Sequence, residues 1–189
     1  MDAKTLIKAG LDNINRELDR KLGGLTQQEL QWQPKPDANS IGLILFHMAR
    51  AEDHLVTFGI QGKTQIWESE RWYFKLKKDI NDSGGHYTPE QYQAFVVPDL
   101  EDLMGYYSAV RKQTLEYLNS LTSEKLDAKV DLPPMGPPPV TTSDGKTQSH
   151  HKPPFEPIVG SVLFFNAVHL LNHVGEISYI RGLIRGMDK

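Results

Sequence analysis

The stretch from Ile158 to Ile184 constrains the fold of this chain more than any other. It reads as one long helix and is the most apolar segment of the sequence, so it needs neighbours to cover it. Three more segments repeat apolar residues at helical spacing. The first runs over about residues 3–22 through Ile7, Leu11, Ile14, Leu18 and Leu22, and Gly23-Gly24 stops it. The second starts after a cap at Asn39 or Ser40 and runs to about Phe58, with Ile41, Ile44, Leu45, Met48 and Leu55 on one face. The third begins near Asp99 and carries Leu100, Leu103, Tyr107, Val110, Thr114 and Leu121. With 189 residues the chain is long enough for one domain with a sizeable core. The expected architecture is a single all-α domain over 1–189, an antiparallel four-helix bundle with long crossover connections. The Ile158–Ile184 helix is expected at its centre.

The connections differ in character. Residues 25–39 read as a polar connector, since Pro34 and Pro36 disfavour a continuous helix there. Residues 60–98 contain IWESERWYFKL, a candidate short helix. Residues 122–157 hold eight prolines and a Ser143-Asp144-Gly145-Lys146 turn, whose flanks can pair as a hairpin over 140–147. Connections this long are uncommon unless they serve a site.

Composition narrows the function. A formal net charge of -3 gives no footprint for nucleic acid. No apolar run reaches bilayer length. The opening MDAKTLIKAG has no signal-peptide core, so a cytoplasmic location is expected. The chain has no cysteine, which excludes thiolate metal sites and a cysteine nucleophile. Any metal ligands must be imidazoles and oxygens, and seven histidines are present.

Two of those histidines stand out in HLLNHVGE, residues 169–176. His169 and His173 are four apart and lie one above the other on a helix. At about 100° per residue they share a face with Ile158, Val162, Ile180 and Ile184, and with Asn166 and Glu176. That face reads as apolar, and a buried imidazole pair needs partners or a metal there. Two readings follow: ligands for zinc, nickel or iron, or core histidines hydrogen-bonded to neighbouring helices. The HEXXH protease pattern fails, because Leu170 stands where its glutamate belongs. His47, on the flank of the second helix, is a candidate third ligand. His54 is nearly in line with it, about 10 Å further along the axis, and geometry separates the two only weakly. Glu52 falls on the apolar stripe of the second helix, where a carboxylate needs an ion-pair partner unless it serves as a base. His86, His150 and His151 lie in connections and read as solvated. Arg181 and Arg185 read as surface salt-bridge partners.

The stretch LTQQELQWQPKPDANSIGLILFHMARAEDH resembles the opening of DinB-like proteins, a superfamily that includes YfiT-type bacillithiol transferases. Trp32, Pro36, Asn39-Ser40-Ile41 and His47 carry the likeness. HLLNHVGEISYIRGLIRG is similar to that family's last helix. The resemblance implies a three-histidine metal site with His47, His169 and His173 as ligands, which selects His47 over His54. It implies a divalent metal, zinc or nickel first and iron as a third option, and a homodimer. It also implies a metal-dependent thiol S-transferase or hydrolase acting on a small electrophilic substrate. Glu176, Asn166 and Glu52 are then candidates for orienting ligands or moving protons. The expected partners are a small-molecule thiol and an electrophile, with no nucleic acid and no membrane. The alternative is a non-enzymatic metal- or small-molecule-binding stress protein.

Overall fold

The computed structural model describes residues 2–132 and 155–186. The hairpin expected over 140–147 and the His150-His151 pair lie outside the described residues. The described chain is all-α, with helices α1 (Ala3–Leu22), α2 (Gln27–Gln31), α3 (Ile41–Glu52), α4 (Ile66–Ser69), α5 (Trp72–Lys75), α6 (Pro89–Ala94), α7 (Leu100–Ser120), α8 (Ser123–Leu126) and α9 (Val159–Arg185). A π-helical stretch, Asp53–Ile60, continues α3.

Side-chain oxygens cap α1 and α3. Asp2 accepts from the Thr5 amide at 2.7 Å and Ser40 from the Leu43 amide at 3.2 Å, satisfying N–H groups that have no partner inside the helix. The expected bounds of α1 and α9 and the expected start of α7 agree with the structure. The connector after α1 differs, because Thr26 and Glu29 form a reciprocal capping box that nucleates α2. α6 was not foreseen. It too starts from a capping box, between Thr88 and Gln91, with Pro89 in its first turn.

Four long helices form the bundle, and α1 packs on α9 and α7 while α3 packs on the same two. Contacts along their lengths fix the directions. Lys4 at the start of α1 donates to the Asn119 and Leu121 carbonyls at the end of α7 at 2.5 and 3.0 Å, so α1 and α7 are antiparallel. The α-carbon of Gly10 approaches Ala167 in mid-α9, and Arg185 at the end of α9 reaches Gly24 O at 2.6 Å just past α1, so these two run the same way. Gly42 faces Val97 just ahead of α7, and Gln61 meets Gln113 near its end, which makes α3 and α7 parallel. The bundle is therefore two parallel pairs opposed to each other. Parallel neighbours need a connection that travels back along the bundle. With α3 and its π-helical extension about 30 Å long, this explains the length of the 61–99 segment.

That returning segment packs on the outside of α3. Trp67 and Val97 are buried, and so are Leu76 and Phe95. As a result Ile41, Leu43, Ile44, Leu45, Phe46, Met48 and Ala49 are buried around the whole helix, not along one stripe. α3, not α9, is the central helix. α9 buries Leu163, Ala167, Leu170, Val174 and Ile177 on one side but exposes Phe164, Val168, Leu171, Tyr179 and Leu183 on the other.

Glu52 meets a buried partner. Arg111 of α7 grips it at 2.8 and 3.0 Å and donates also to Leu11 O and Asn15 Oδ1 of α1, both at 2.9 Å. One guanidinium thus ties three helices, and its bonds satisfy charges that would otherwise be costly to bury. Arg185 behaves as expected and pairs with Glu29 at 2.5 Å, tying α9 to the α2 turn.

Two outcomes follow. Arg111→Met leaves the Glu52 carboxylate buried and unpaired and should cost about 3–5 kcal/mol in urea unfolding, much of it recovered by adding Glu52→Leu. The bonds from Arg185 and from the Thr26 amide hold the Glu29 carboxyl down to about 2, from an ordinary 4.5. A depressed carboxyl pKa contributes stability above its unfolded value that disappears as pH falls toward the folded one. Glu29→Gln should therefore flatten the stability profile between about pH 5 and 2 relative to the parent, measured as melting temperature against pH.

Candidate metal centre

α3 and α9 cross in antiparallel contact, and the crossing brings His47 against His169 and His173. The Nε2 atoms of His47 and His169 are 3.4 Å apart, and those of His173 and His169 are 3.0 Å apart. Among the described residues these three form a group able to hold a metal ion, with one ligand atom from each within 4.8 Å of the others. Two nitrogens on a tetrahedral zinc at 2.0–2.1 Å stand about 3.3 Å apart. Two of the three nitrogen pairs lie near that separation, at 3.4 and 3.0 Å, and all three nitrogens lie within 4.8 Å of one another.

The protons argue the same way. His47 donates its Nδ1–H to the Gly84 carbonyl at 3.0 Å, and His173 donates its Nδ1–H to Glu176 at 3.1 Å. In a neutral ring the remaining nitrogen then carries a lone pair, so both Nε2 atoms turn lone pairs toward the same point. A proton on His169 Nε2 can bridge to one of them but not both. Burial pushes the His169 pKa down to about 4, and His173 and His47 beside it add to the shift. Burial is also the main cause that lowers His47. These rings are therefore neutral near pH 7, the form in which imidazole ligates a metal. The residues fit a divalent cation.

The placement differs from the helical-wheel reading. The core side of α9 centres near Leu170, Val174 and Ile177, about 90° from His169. The histidines are half-buried on its flank rather than central in the apolar face. That flank position lets the site open. A cavity of about 1040 Å³ is lined by His47, His169, Phe165, Tyr87, Phe95 and Lys78 together with the 79–86 loop. The Phe165 ring lies parallel to His169, within 4°, with centroids 6.2 Å apart. His54 lines the same cavity against Phe58 and is not part of the triad.

The other candidates separate clearly. Glu176 touches His173 and orients it. Asn166 is 1% exposed and lies one turn before His169; neither of its amide atoms has a hydrogen-bond partner among the described residues. Glu52 is held by Arg111 and does not line the cavity.

Sequence reading missed the loop that holds His47. Ser83-Gly84-Gly85-His86 carries the only useful signal, a glycine pair beside a histidine. Gly84 has φ +74°, and a Cβ there would meet Arg50 Cγ at 3.0 Å and His47 Cα at 3.3 Å. A Cβ on Gly85 would meet His47 Nδ1 at 3.2 Å. The pair lets the backbone lie flat on the imidazole so that a carbonyl reaches Nδ1.

Three ring nitrogens from two crossing helices, beside an open cavity, give this helical bundle a histidine group that could hold one metal ion. The sequence profile of the DinB superfamily matches residues 11–177, and the chain belongs to that superfamily. The crystal structure of a conserved protein from Enterococcus faecalis is similar, with a TM-score of 0.73 and 22% identity, covering 98% of this chain and 99% of that one. That likeness shows the shared fold. Among curated proteins, none matches this chain at a significant level.

Gly84→Ala should strain the backbone and push the loop from His47, at a cost of about 1–3 kcal/mol. Imidazole nitrogen NMR should show the His47 Nδ1–H signal lost to solvent exchange while that of His173 persists. A retained His47 signal would contradict the assigned role of Gly84.

Proposed function

We propose that this protein is a metal-dependent thiol S-transferase that joins a small thiol to a small electrophile at the His47–His169–His173 site. The observation that carries this reading is the convergence of three ring nitrogens beside a large cavity that His47 and His169 line. Three protein ligands leave a position open to substrate, the arrangement of a catalytic site and not of a closed structural one. When bound, a divalent ion such as zinc or nickel lowers the pKa of a thiol so that the thiolate forms near neutral pH.

The chain's own residues supply the rest. It has no cysteine, so the nucleophilic sulfur has to arrive with a substrate. His47 and His173 are aimed by Gly84 O and Glu176, which fixes the direction of approach. The cavity, at about 1040 Å³, has room for a thiol and an electrophile together. Phe165, Phe95 and Tyr87 give it apolar walls that limit water around the thiolate.

Hydrolysis at the same site is the second reading. Water is a much weaker acid than a thiol and calls for a base. Glu52 is bound to Arg111 and Glu176 is bound to His173, which leaves neither carboxylate free for that task. This favours the thiol. The open cavity also favours catalysis over the alternative of a non-enzymatic metal- or small-molecule-binding stress protein.

Untagged protein should contain about one divalent ion per chain by elemental analysis, and His173→Ala should lose it while keeping its helical circular dichroism. The parent should also accelerate S-arylation of cysteine or glutathione by chlorodinitrobenzene, with release of chloride, and His173→Ala should fall to the uncatalysed rate. Equal metal content in both proteins would defeat the ligand assignment. Metal binding without acceleration for any thiol would defeat the transferase reading and leave the metal site.

A further inference from the structure

We infer that Asp82, latched in place by Arg50, is a positioning residue that aims the His47 ring through the carbonyl of Gly84. The inference rests on the metal reading above. It names the residues that tune one ligand.

An imidazole is poorly fixed by its own rotamers. The χ2 torsion of histidine is broad, so the direction of Nε2 is set by whatever holds Nδ1. At His173 that partner is Glu176, an exposed side chain on the same helix. At His47 it is a backbone carbonyl in a loop, and a loop carbonyl is only as steady as the loop. The structure holds this loop at several points. The Asp82 side-chain oxygen Oδ1 accepts from the Gly84 amide at 2.9 Å and from the Tyr87 hydroxyl at 2.6 Å. Those bonds curl residues 82–87 so that Gly84 O turns to His47. Burial and the Asp82 carboxylate both raise the Tyr87 pKa, so its hydroxyl stays protonated and keeps donating.

Arg50 fixes the other side. Its Nε donates to the Asp82 carbonyl at 2.9 Å, and its Nη1 donates to Gln65 Oε1 at 2.8 Å and to Tyr106 at 3.2 Å. The guanidinium lies 4.5 Å from the centre of the Trp67 ring. Arg50 is 6% exposed, so it is held on every side. Arg50 and His47 stand one turn apart on α3. The ligand and the anchor of its orienting loop therefore share one rigid helix, and the loop keeps its register with His47 whatever α9 does. His47 is the single ligand that α9 does not supply, so its aim decides whether the three nitrogens converge.

The test uses full-length protein and cobalt(II) as the probe, read by visible absorption and by competition with a chelator. Asp82→Ala should weaken cobalt binding about 10- to 100-fold and shift the absorption bands, with helical content retained. Asp82→Asn keeps an acceptor oxygen for Gly84 and Tyr87 and should bind close to the parent. Tyr87→Phe removes one of the two bonds and should fall between them, which keeps the test usable if Asp82→Ala folds poorly. Asp127→Asn, an exposed residue outside this loop and the cavity, should match the parent. Variants that lose thermal stability yet keep parental cobalt affinity and spectrum would overturn the inference. So would Asp82→Asn binding as weakly as Asp82→Ala, since the aim would then not come from the hydrogen bonds. A parent that binds no cobalt would remove the metal reading itself, an outcome distinct from either.

Discussion

Two imidazole lone pairs, on His47 and His173 Nε2, turn toward His169 Nε2 from 3.4 and 3.0 Å, and one proton there can satisfy only one of them unless a cation stands among the three. That constraint organises the site. His47 and His173 each give their one ring proton outward, to Gly84 O and to Glu176, and so cannot hold each other by hydrogen bonds through Nε2. The reading of an ordinary core histidine cluster, in which rings satisfy neighbouring helices, requires protons pointing inward. Here His169 alone can supply one, and a single proton serves one neighbour. Burial reinforces this by keeping His169 neutral down to about pH 4, which removes the other route to relief, protonation of the ring.

The bundle topology explains why such a site stands beside a cavity. Because α3 and α7 run in the same direction, the chain between them must return along the bundle. It does so over the outer surface of α3, burying Trp67, Leu76, Phe95 and Val97 against it. The same segment supplies the carbonyl that orients His47 and the Tyr87, Phe95 and Lys78 walls of the cavity. A short hairpin between antiparallel neighbours would have offered none of these. Stability and site construction are here the same stretch of chain, and the length that looked excessive in the sequence is set by geometry.

The sequence made some of this legible and hid the rest for identifiable reasons. Helical periodicity located α1, α7 and α9, since each has one apolar side and a capping or stop signal. The same logic misjudged α3. Its residues at every angle are apolar or small, and periodicity alone cannot say that a distant segment will cover the outer face. It misjudged α9 in the other direction, because overall hydrophobicity was taken for centrality while Phe164, Leu171 and Leu183 face outward. The i, i+4 spacing showed that His169 and His173 share a side, yet the wheel placed them mid-stripe rather than on the flank. His47 and His54 were nearly equivalent by angle, and the resemblance, not the geometry, separated them. Glu52 was read as either a base or an ion-pair partner, and that question turned on Arg111, fifty-nine residues away. Gly84 and Gly85 left almost no trace, because the need for a bare backbone against an imidazole appears only once the loop is folded onto α3.

The charge of the site gives the reading its chemical direction. Imidazole ligands are neutral, so three of them would cancel none of a divalent ion's charge. Glu176 lies beyond His173 and contributes at a distance. Along the cavity, Arg50 and Lys78 offset Asp79 and Asp82, and the carboxylate of Asp82 is already engaged by Gly84 and Tyr87. With a divalent ion bound, a surplus of positive charge would remain beside the cavity, walled by Phe165 and Phe95. Such a place favours an anion that brings apolar bulk with it. A thiolate on a small organic body meets that description better than hydroxide, which is equally charged but strongly hydrated. The same surplus makes the aim of His47 matter, since the ion's open position points wherever the three nitrogens leave it.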